Sequence, residues 1–268
     1  MNKFKTSDDF QIGYETFHSG FDQNLLLIHG NMASSSWWRP SVELMKSASD
    51  RPEKIVYADW RGYGQSKGLT DEAQIDFDRF ADDYLELMSS LNMKDVNVVG
   101  HSTGGLIAML AILKKPQLFK SLTLLDSVGA TGLELQLPKD QVLAHFDKMS
   151  QDRDYCRMVL AGTIHEVDAT STTFLELADE AFDADKEVFK GVISELADNI
   201  NITDKMAQLK LPTLILHGDK DLVLPLEGSE LLHKQIEGSI FRVLENHGHS
   251  TNMEDAGLFV RAQWWSLH

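Results

Sequence analysis

Residues 96–105 read VNVVGHSTGG, and few chain conformations can satisfy them. Val96, Val98 and Val99 are β-branched and favour a strand. Gly104 and Gly105 lead into Leu106, Met109, Leu110 and Leu113, apolar residues at helical spacing. Only a few residues separate the two. A turn that sharp leaves no space for Cβ atoms at its shoulders, and glycine has none. Gly100 and Gly104 stand two residues before and after Ser102. That is the G-x-S-x-G spacing of a nucleophile elbow, which exposes a serine hydroxyl at a strand-to-helix turn.

The same alternation of strand and helix runs along the chain. Phe10, Ile12 and Tyr14 share one face and predict an early antiparallel strand. Short apolar runs at 24–28, 54–58, 96–99, 122–125, 213–216 and 240–244 predict parallel strands buried on both faces. Helices are expected near 37–47, 71–91, 104–114, 226–236 and 255–266. Lys114, Lys115 and Pro116 close the third of these with cations and a proline. The pattern predicts a doubly wound, mostly parallel α/β sheet. From Ser127 to Lys210 the rhythm breaks. Val188, Val192, Leu196 and Ile200 recur at helical spacing, and no convincing strand appears. We therefore expect a core of residues 1–126 and 211–268, with a helical cap over 127–210 inserted between sheet strands.

Charge and cysteine content narrow the partners. The 268 residues carry a formal net charge of −16, and half of it lies in 127–210, where 16 acidic residues face 8 basic ones. Nucleic acid and anionic membranes need basic surface, so neither is expected as a partner. No run of 18 apolar residues occurs, which argues against a membrane span. The opening MNKFKTSDDF lacks the apolar stretch of a signal peptide. Cys156 is the only cysteine, so no internal disulfide can form and a reducing cytoplasm fits. The expected partner is a small-molecule substrate, bound by a monomer or homodimer.

A serine hydroxyl is a weak nucleophile. It needs a base, an acid to orient that base, and donors for the oxyanion. Open parallel sheets bring such residues together at the carboxyl ends of their strands. Asp219 and Asp221 follow the run at 213–216, and Asp126 follows the run at 122–125. His247 and His249 lie just past the last run, with Gly248 between them to bend the chain. One oxyanion donor would be the backbone N–H of Thr103. The other would come from the loop after 24–28, with Asn31 preferred to Met32. His29 and His101 flank this region as wall residues. Trp37 and Trp38 are expected to pack, with one able to line a pocket. The HGH of 247–249 has no further ligand cluster beside it, so neither a metal nor a cofactor is expected.

In this combination the chain resembles the α/β-hydrolase fold superfamily, in its branch of esterases and non-haem-haloperoxidase-like serine hydrolases. HGN (29–31), DWRGYGQS (59–66), GHSTGG (100–105), HGDKDLVLP (217–225) and HGHS (247–250) carry the resemblance in order over nearly the whole chain. The family order Ser, Asp, His implies Ser102, Asp221 and His249 as nucleophile, acid and base. The family's G-x-x-D selects Asp221 over Asp219, and its G-H pair selects His249 over His247. The segment 127–210 matches the family's variable lid, and RGYGQS a turn that supports the sheet without chemistry. The resemblance implies a cofactor-independent serine hydrolase acting on an ester-like bond of a small, uncharged or weakly charged molecule. Carbon–carbon bond hydrolases, lactonases, thioesterases and amidases share the layout, as would a hydrolase-like small-molecule sensor. A serine at 102 disfavours the relatives that use an aspartate nucleophile.

Overall fold

The computed structural model describes residues 1–18, 23–47 and 54–264. Among the described residues eight strands form one sheet: β1 (Asn2–Lys5), β2 (Gln11–His18), β3 (Asn24–Ile28), β4 (Lys54–Ala58), β5 (Val96–His101), β6 (Phe119–Leu125), β7 (Thr213–Gly218) and β8 (Ile240–Leu244). Their order across the sheet is β1-β2-β4-β3-β5-β6-β7-β8. β1 and β2 pair antiparallel, β2 joins β4 antiparallel, and every later pairing is parallel. This is the doubly wound α/β sheet that the apolar runs predict. β1 is an addition to that reading. Only Phe4 of its four residues is even half-buried, so an edge strand this short leaves no alternation to detect.

Ten α-helices accompany the sheet among the described residues: α1 (Arg39–Ser47), α2 (Phe77–Ser90), α3 (Thr103–Lys114), α4 (Lys139–Gln151), α5 (Arg153–Ala161), α6 (Thr172–Phe182), α7 (Lys186–Asp198), α8 (Leu226–Gln235), α9 (Thr251–Glu254) and α10 (Ala256–Trp264). The helix expected over 71–91 is interrupted. Asp71 caps a 3-10 turn at Glu72–Gln74 through a capping box, and Asp76 then caps α2. Two aspartate caps five residues apart break what apolar periodicity alone reads as continuous. The last expected helix, 255–266, corresponds to α10, which the short unforeseen α9 precedes, and its predicted residues 265–266 lie outside the described residues. Helices α4 to α7 all fall between β6 and β7. No strand occurs there among the described residues, only an isolated bridge between Gly129 and Gly132. No described helix is long and apolar enough to cross a membrane.

Strand alternation sorts the core into two layers. Leu26, Ile28 and Val98 face the layer that holds α2 and α3, whereas Leu25, Leu27 and Val99 face α1 and α10 through Trp38, Val42, Met45 and Phe259. On the first side a buried ion-pair network ties three segments together. Arg61, in the turn after β4, donates to both oxygens of Asp83 of α2 at 2.6 and 2.8 Å, and to Asp8 at 2.7 and 2.8 Å. Arg79 adds a 2.6 Å bond to Asp83. Burial pushes the Asp83 carboxyl up, against the two guanidinium groups that pull it down. Removing one partner leaves buried charge uncompensated, so Asp83→Ala should cost about 3–5 kcal/mol in urea unfolding. A loss below about 1 kcal/mol, the value of an exposed pair, would show that the network holds nothing together.

Candidate active site

Ser102 sits at the end of β5 with φ 52° and ψ −122°, a left-handed backbone that a side-chain-bearing residue adopts only under constraint. The constraint is visible. A Cβ on Gly100 would come within 2.4 Å of the Gly104 carbonyl, and one on Gly104 within 2.4 Å of the Ile28 carbonyl. β5, β3 and α3 therefore meet at distances only glycine permits, as the spacing around Ser102 requires. The Ser102 amide donates to the Leu125 carbonyl at 2.9 Å, and its own carbonyl accepts from Gly105 and Val128. Its side chain faces a cavity of about 400 Å³ that Asn31, Trp37, His101, Thr103 and His249 also line.

Asp221 and His249 arrive from the ends of β7 and β8. His249 Nδ1 and Asp221 Oδ2 are 2.7 Å apart. The other carboxylate oxygen of Asp221 accepts the Val223 and Leu224 amides at 2.7 and 3.0 Å. Burial raises the Asp221 pKa, but His249 and these two amides outweigh it and hold the carboxyl below its usual range. The neighbouring residues divide the other tasks. Asp219 accepts the Asn246 amide at 2.6 Å and so braces the loop that carries His249. His247 turns back to the Glu245 carbonyl at 2.7 Å. Among the described residues Ser102 Oγ makes no hydrogen bond to His249, although both open on the same cavity.

Asp126 lies behind this pair. It is fully buried, with Oδ1 accepting the Gly218 amide at 2.8 Å and Oδ2 without a partner. Burial and the charge of Asp221 raise its pKa well above the usual range. One atom each of Asp126, His217 and Asp221 lies within 4.8 Å of the others, a grouping able to hold a cation. Each is engaged by protein, however: Asp221 with His249, His217 with Ser229 Oγ at 2.8 Å, and Asp126 with Gly218. His217 Nε2 also stands 3.4 Å from Asp221 Oδ2.

The wall opposite comes from the loop after β3. A Cβ on Gly30 would lie 2.9 Å from Ser102 Cβ, so the loop passes directly over the serine. Asn31 and Thr103 flank Ser102, and neither backbone N–H has a protein acceptor among the described residues. The Tyr63 hydroxyl donates to the Asn31 side chain and lies 3.4 Å from the Met32 amide. His29 accepts the Trp60 amide on Nε2 at 3.2 Å, which leaves Nδ1 to donate to the Gly30 carbonyl at 2.8 Å. Burial pushes its pKa down to about 3. Burial, with the neighbouring His249, does the same to His101, whose Nε2 lies 2.6 Å from the His249 carbonyl. Of the two expected wall residues, His101 lines the cavity, whereas His29 does not and stacks on Trp60. Trp37 lines the cavity, and Trp38 packs on the far face of the sheet against Phe259.

Sequence reasoning misses several supports. Tyr63 belongs to the RGYGQS turn, which the sequence reading leaves without chemistry, yet it holds the Asn31 loop. Glu254 is also unforeseen. Its Oε2 accepts the Gly248 amide at 2.7 Å, and its Oε1 accepts His165 at 2.9 Å and Ser250 at 3.3 Å. His165 lies between α5 and α6, and the His249 amide donates to Thr163 O of the same segment at 3.2 Å. Gly248 permits this approach, since a Cβ there would lie 2.9 Å from Glu254 Oε1 and 3.0 Å from the His165 nitrogen.

The model of the alpha/beta hydrolase fold family matches residues 23–155, the span from β3 past the Ser102 elbow. The chain belongs to the α/β-hydrolase superfamily. This α/β-hydrolase is 26% identical over 269 residues to 2-hydroxymuconate semialdehyde hydrolase of Pseudomonas putida, with 94% of this chain and 92% of that one covered. It is 25% identical over 236 residues to 3-oxoadipate enol-lactonase 1 of Acinetobacter baylyi, with 84% and 80% covered. An esterase from Exiguobacterium antarcticum shares its fold with a TM-score of 0.86 at 23% identity, covering 99% of this chain and 98% of the other.

Proposed function

We propose that this α/β-hydrolase is a cofactor-independent serine hydrolase that cleaves an ester-like bond of a small molecule. The observation that supports it most is the 2.7 Å Asp221–His249 hydrogen bond, made by an imidazole that lines the same cavity as Ser102. His249 takes the Ser102 proton as Oγ bonds to the carbonyl carbon. The carbonyl oxygen becomes an oxyanion held by the Asn31 and Thr103 amides. Asp221 keeps the proton on Nδ1 and stabilises the imidazolium. Collapse expels the alkoxide, which takes the proton from His249, and leaves an acyl group on Ser102. Water then gives a proton to His249 and attacks the acyl carbon. The carboxylic acid departs as Ser102 regains its proton. That Ser102 Oγ makes no hydrogen bond to His249 among the described residues is compatible with this course, because such bonds often form or tighten only around substrate.

In this reading residues 127–210 form a cap, with α4 to α7 acting as the lid that sets substrate choice. A second reading uses the same residues to open a lactone, as the name of the enol-lactonase relative suggests, or to cleave a thioester or a carbon–carbon bond. A small-molecule sensor would bind and hydrolyse slowly. One panel of p-nitrophenyl esters, lactones and thioesters separates these. Short-chain esters should turn over fast on the wild type and not on Ser102→Ala, and activity should survive exhaustive chelation. Activity lost to EDTA and restored by a divalent ion would overturn the cofactor-free reading. Exchange of the α4–α7 segment for a relative's should reorder the panel, and an unchanged order would overturn the lid.

A further inference from the structure

The cavity walls contain a feature that bears on which molecules reach Ser102. Phe146, Met149, Val159, Leu160, Ile193 and Leu196, from α4, α5 and α7, give its outer wall an apolar surface. Among the described lining residues none is Lys, Arg, Asp or Glu. The titratable group that α4 contributes is His145, whose Nδ1 lies 2.8 Å from the Tyr155 hydroxyl. Burial and the nearby Lys148 lower its pKa, which favours the neutral ring. Lys148 itself lies over the Tyr155 ring, 3.8 Å from its centre, and does not line the cavity. The other imidazoles among the lining residues are His101 and His249. An anionic group drawn into this wall gives up its hydration and meets no counter-charge.

We propose that the cavity admits acyl groups without charge, rejects those that end in a carboxylate, and owes that choice to an outer wall that holds no Lys or Arg and whose polar post is the His145–Tyr155 pair. The inference rests on the serine-ester reading for its kinetic form, and on the cavity alone for its binding form. It narrows the substrate class of this chain to neutral acyl esters or lactones. It sets the chain apart from enzymes of the same fold that would need a cation in this wall.

The test compares two substrates that differ in one terminal group: 4-nitrophenyl hexanoate, ending in a methyl, and the mono-4-nitrophenyl ester of adipic acid, ending in a carboxylate. Wild-type kcat/KM should favour the hexanoate by at least about 100-fold at pH 7.5, as expected for an unpaired charge in an apolar wall. His145→Arg supplies the missing cation at a half-buried position outside the reacting groups. It should raise kcat/KM for the half-ester relative to the hexanoate at least about tenfold through a charge-assisted pair. Calorimetry on Ser102→Ala with methyl hexanoate and monomethyl adipate tests the same choice without turnover. The neutral ester should bind and the acid should not. Half-ester hydrolysis within about threefold of the hexanoate, or equal binding of the two, or binding of neither, would overturn the proposal. Binding of the neutral ester without hydrolysis of either substrate would instead leave this choice standing and overturn the serine-ester reading.

Discussion

A fluorophosphonate probe should place one label on the wild-type chain, on the peptide that contains Ser102, and none on Ser102→Ala. Such reagents mimic the tetrahedral intermediate and react only with an activated hydroxyl. Activation needs a base that can reach the serine from within the cavity. His249 lines that cavity and is held by Asp221 at 2.7 Å, whereas His247 is turned to the Glu245 carbonyl. His249→Ala should therefore lower kcat by on the order of 10⁶, as loss of either nucleophile or base does where the residues act as a unit. His247→Ala should stay close to wild type. The opposite ranking of the two histidine variants would assign the base to His247, and a label elsewhere in the chain would remove Ser102 as nucleophile.

Asp221→Asn should fold normally by circular dichroism and lose on the order of 10⁴ in kcat. An amide keeps the shape of the carboxylate. It can offer an N–H where His249 needs an acceptor, and so favours the wrong tautomer. Asp126→Asn should have a far smaller effect on kcat. Asp126 makes no hydrogen bond to His249, its buried environment favours the neutral acid, and an amide oxygen can still accept the Gly218 amide. Were Asp126→Asn the crippling change and Asp221→Asn nearly silent, the acid would have to be reassigned to the end of β6.

The legible parts of the molecule are those fixed by local sterics. Val96, Val98 and Val99, followed by glycines at 100, 104 and 105, state a strand, a turn and a helix within ten residues, and the close approaches at Gly100 and Gly104 are the reason. Buried parallel strands are equally plain because both faces must be apolar. The break between Asp71 and Asp76 is written in two caps, which apolar periodicity overlooks. The partners of the candidate site are harder to read because they are distant in sequence. Tyr63 reaches Asn31 across 32 residues, and Glu254 reaches His165 across 89. No spacing rule connects such pairs, since only the packed sheet and helices bring them together. The cavity wall has no motif at all, because apolar side chains on α4, α5 and α7 serve as core or as pocket depending on the neighbouring void.

The Glu254 bridge also bears on how this architecture can change. The loop holding His249 is fastened to the segment between α5 and α6 at Thr163 O and the His165 nitrogen, both main-chain atoms. Side chains in that segment can be exchanged without altering either atom, so selection on substrate choice could rewrite it residue by residue while the imidazole keeps its footing. A change of length has no such freedom. Inserting one residue between Gly162 and Glu166 shifts the carbonyl and the amide together, and should reduce turnover of every ester in proportion, good and poor substrates alike. An insertion that altered preference but left turnover intact would show that the imidazole does not depend on this attachment.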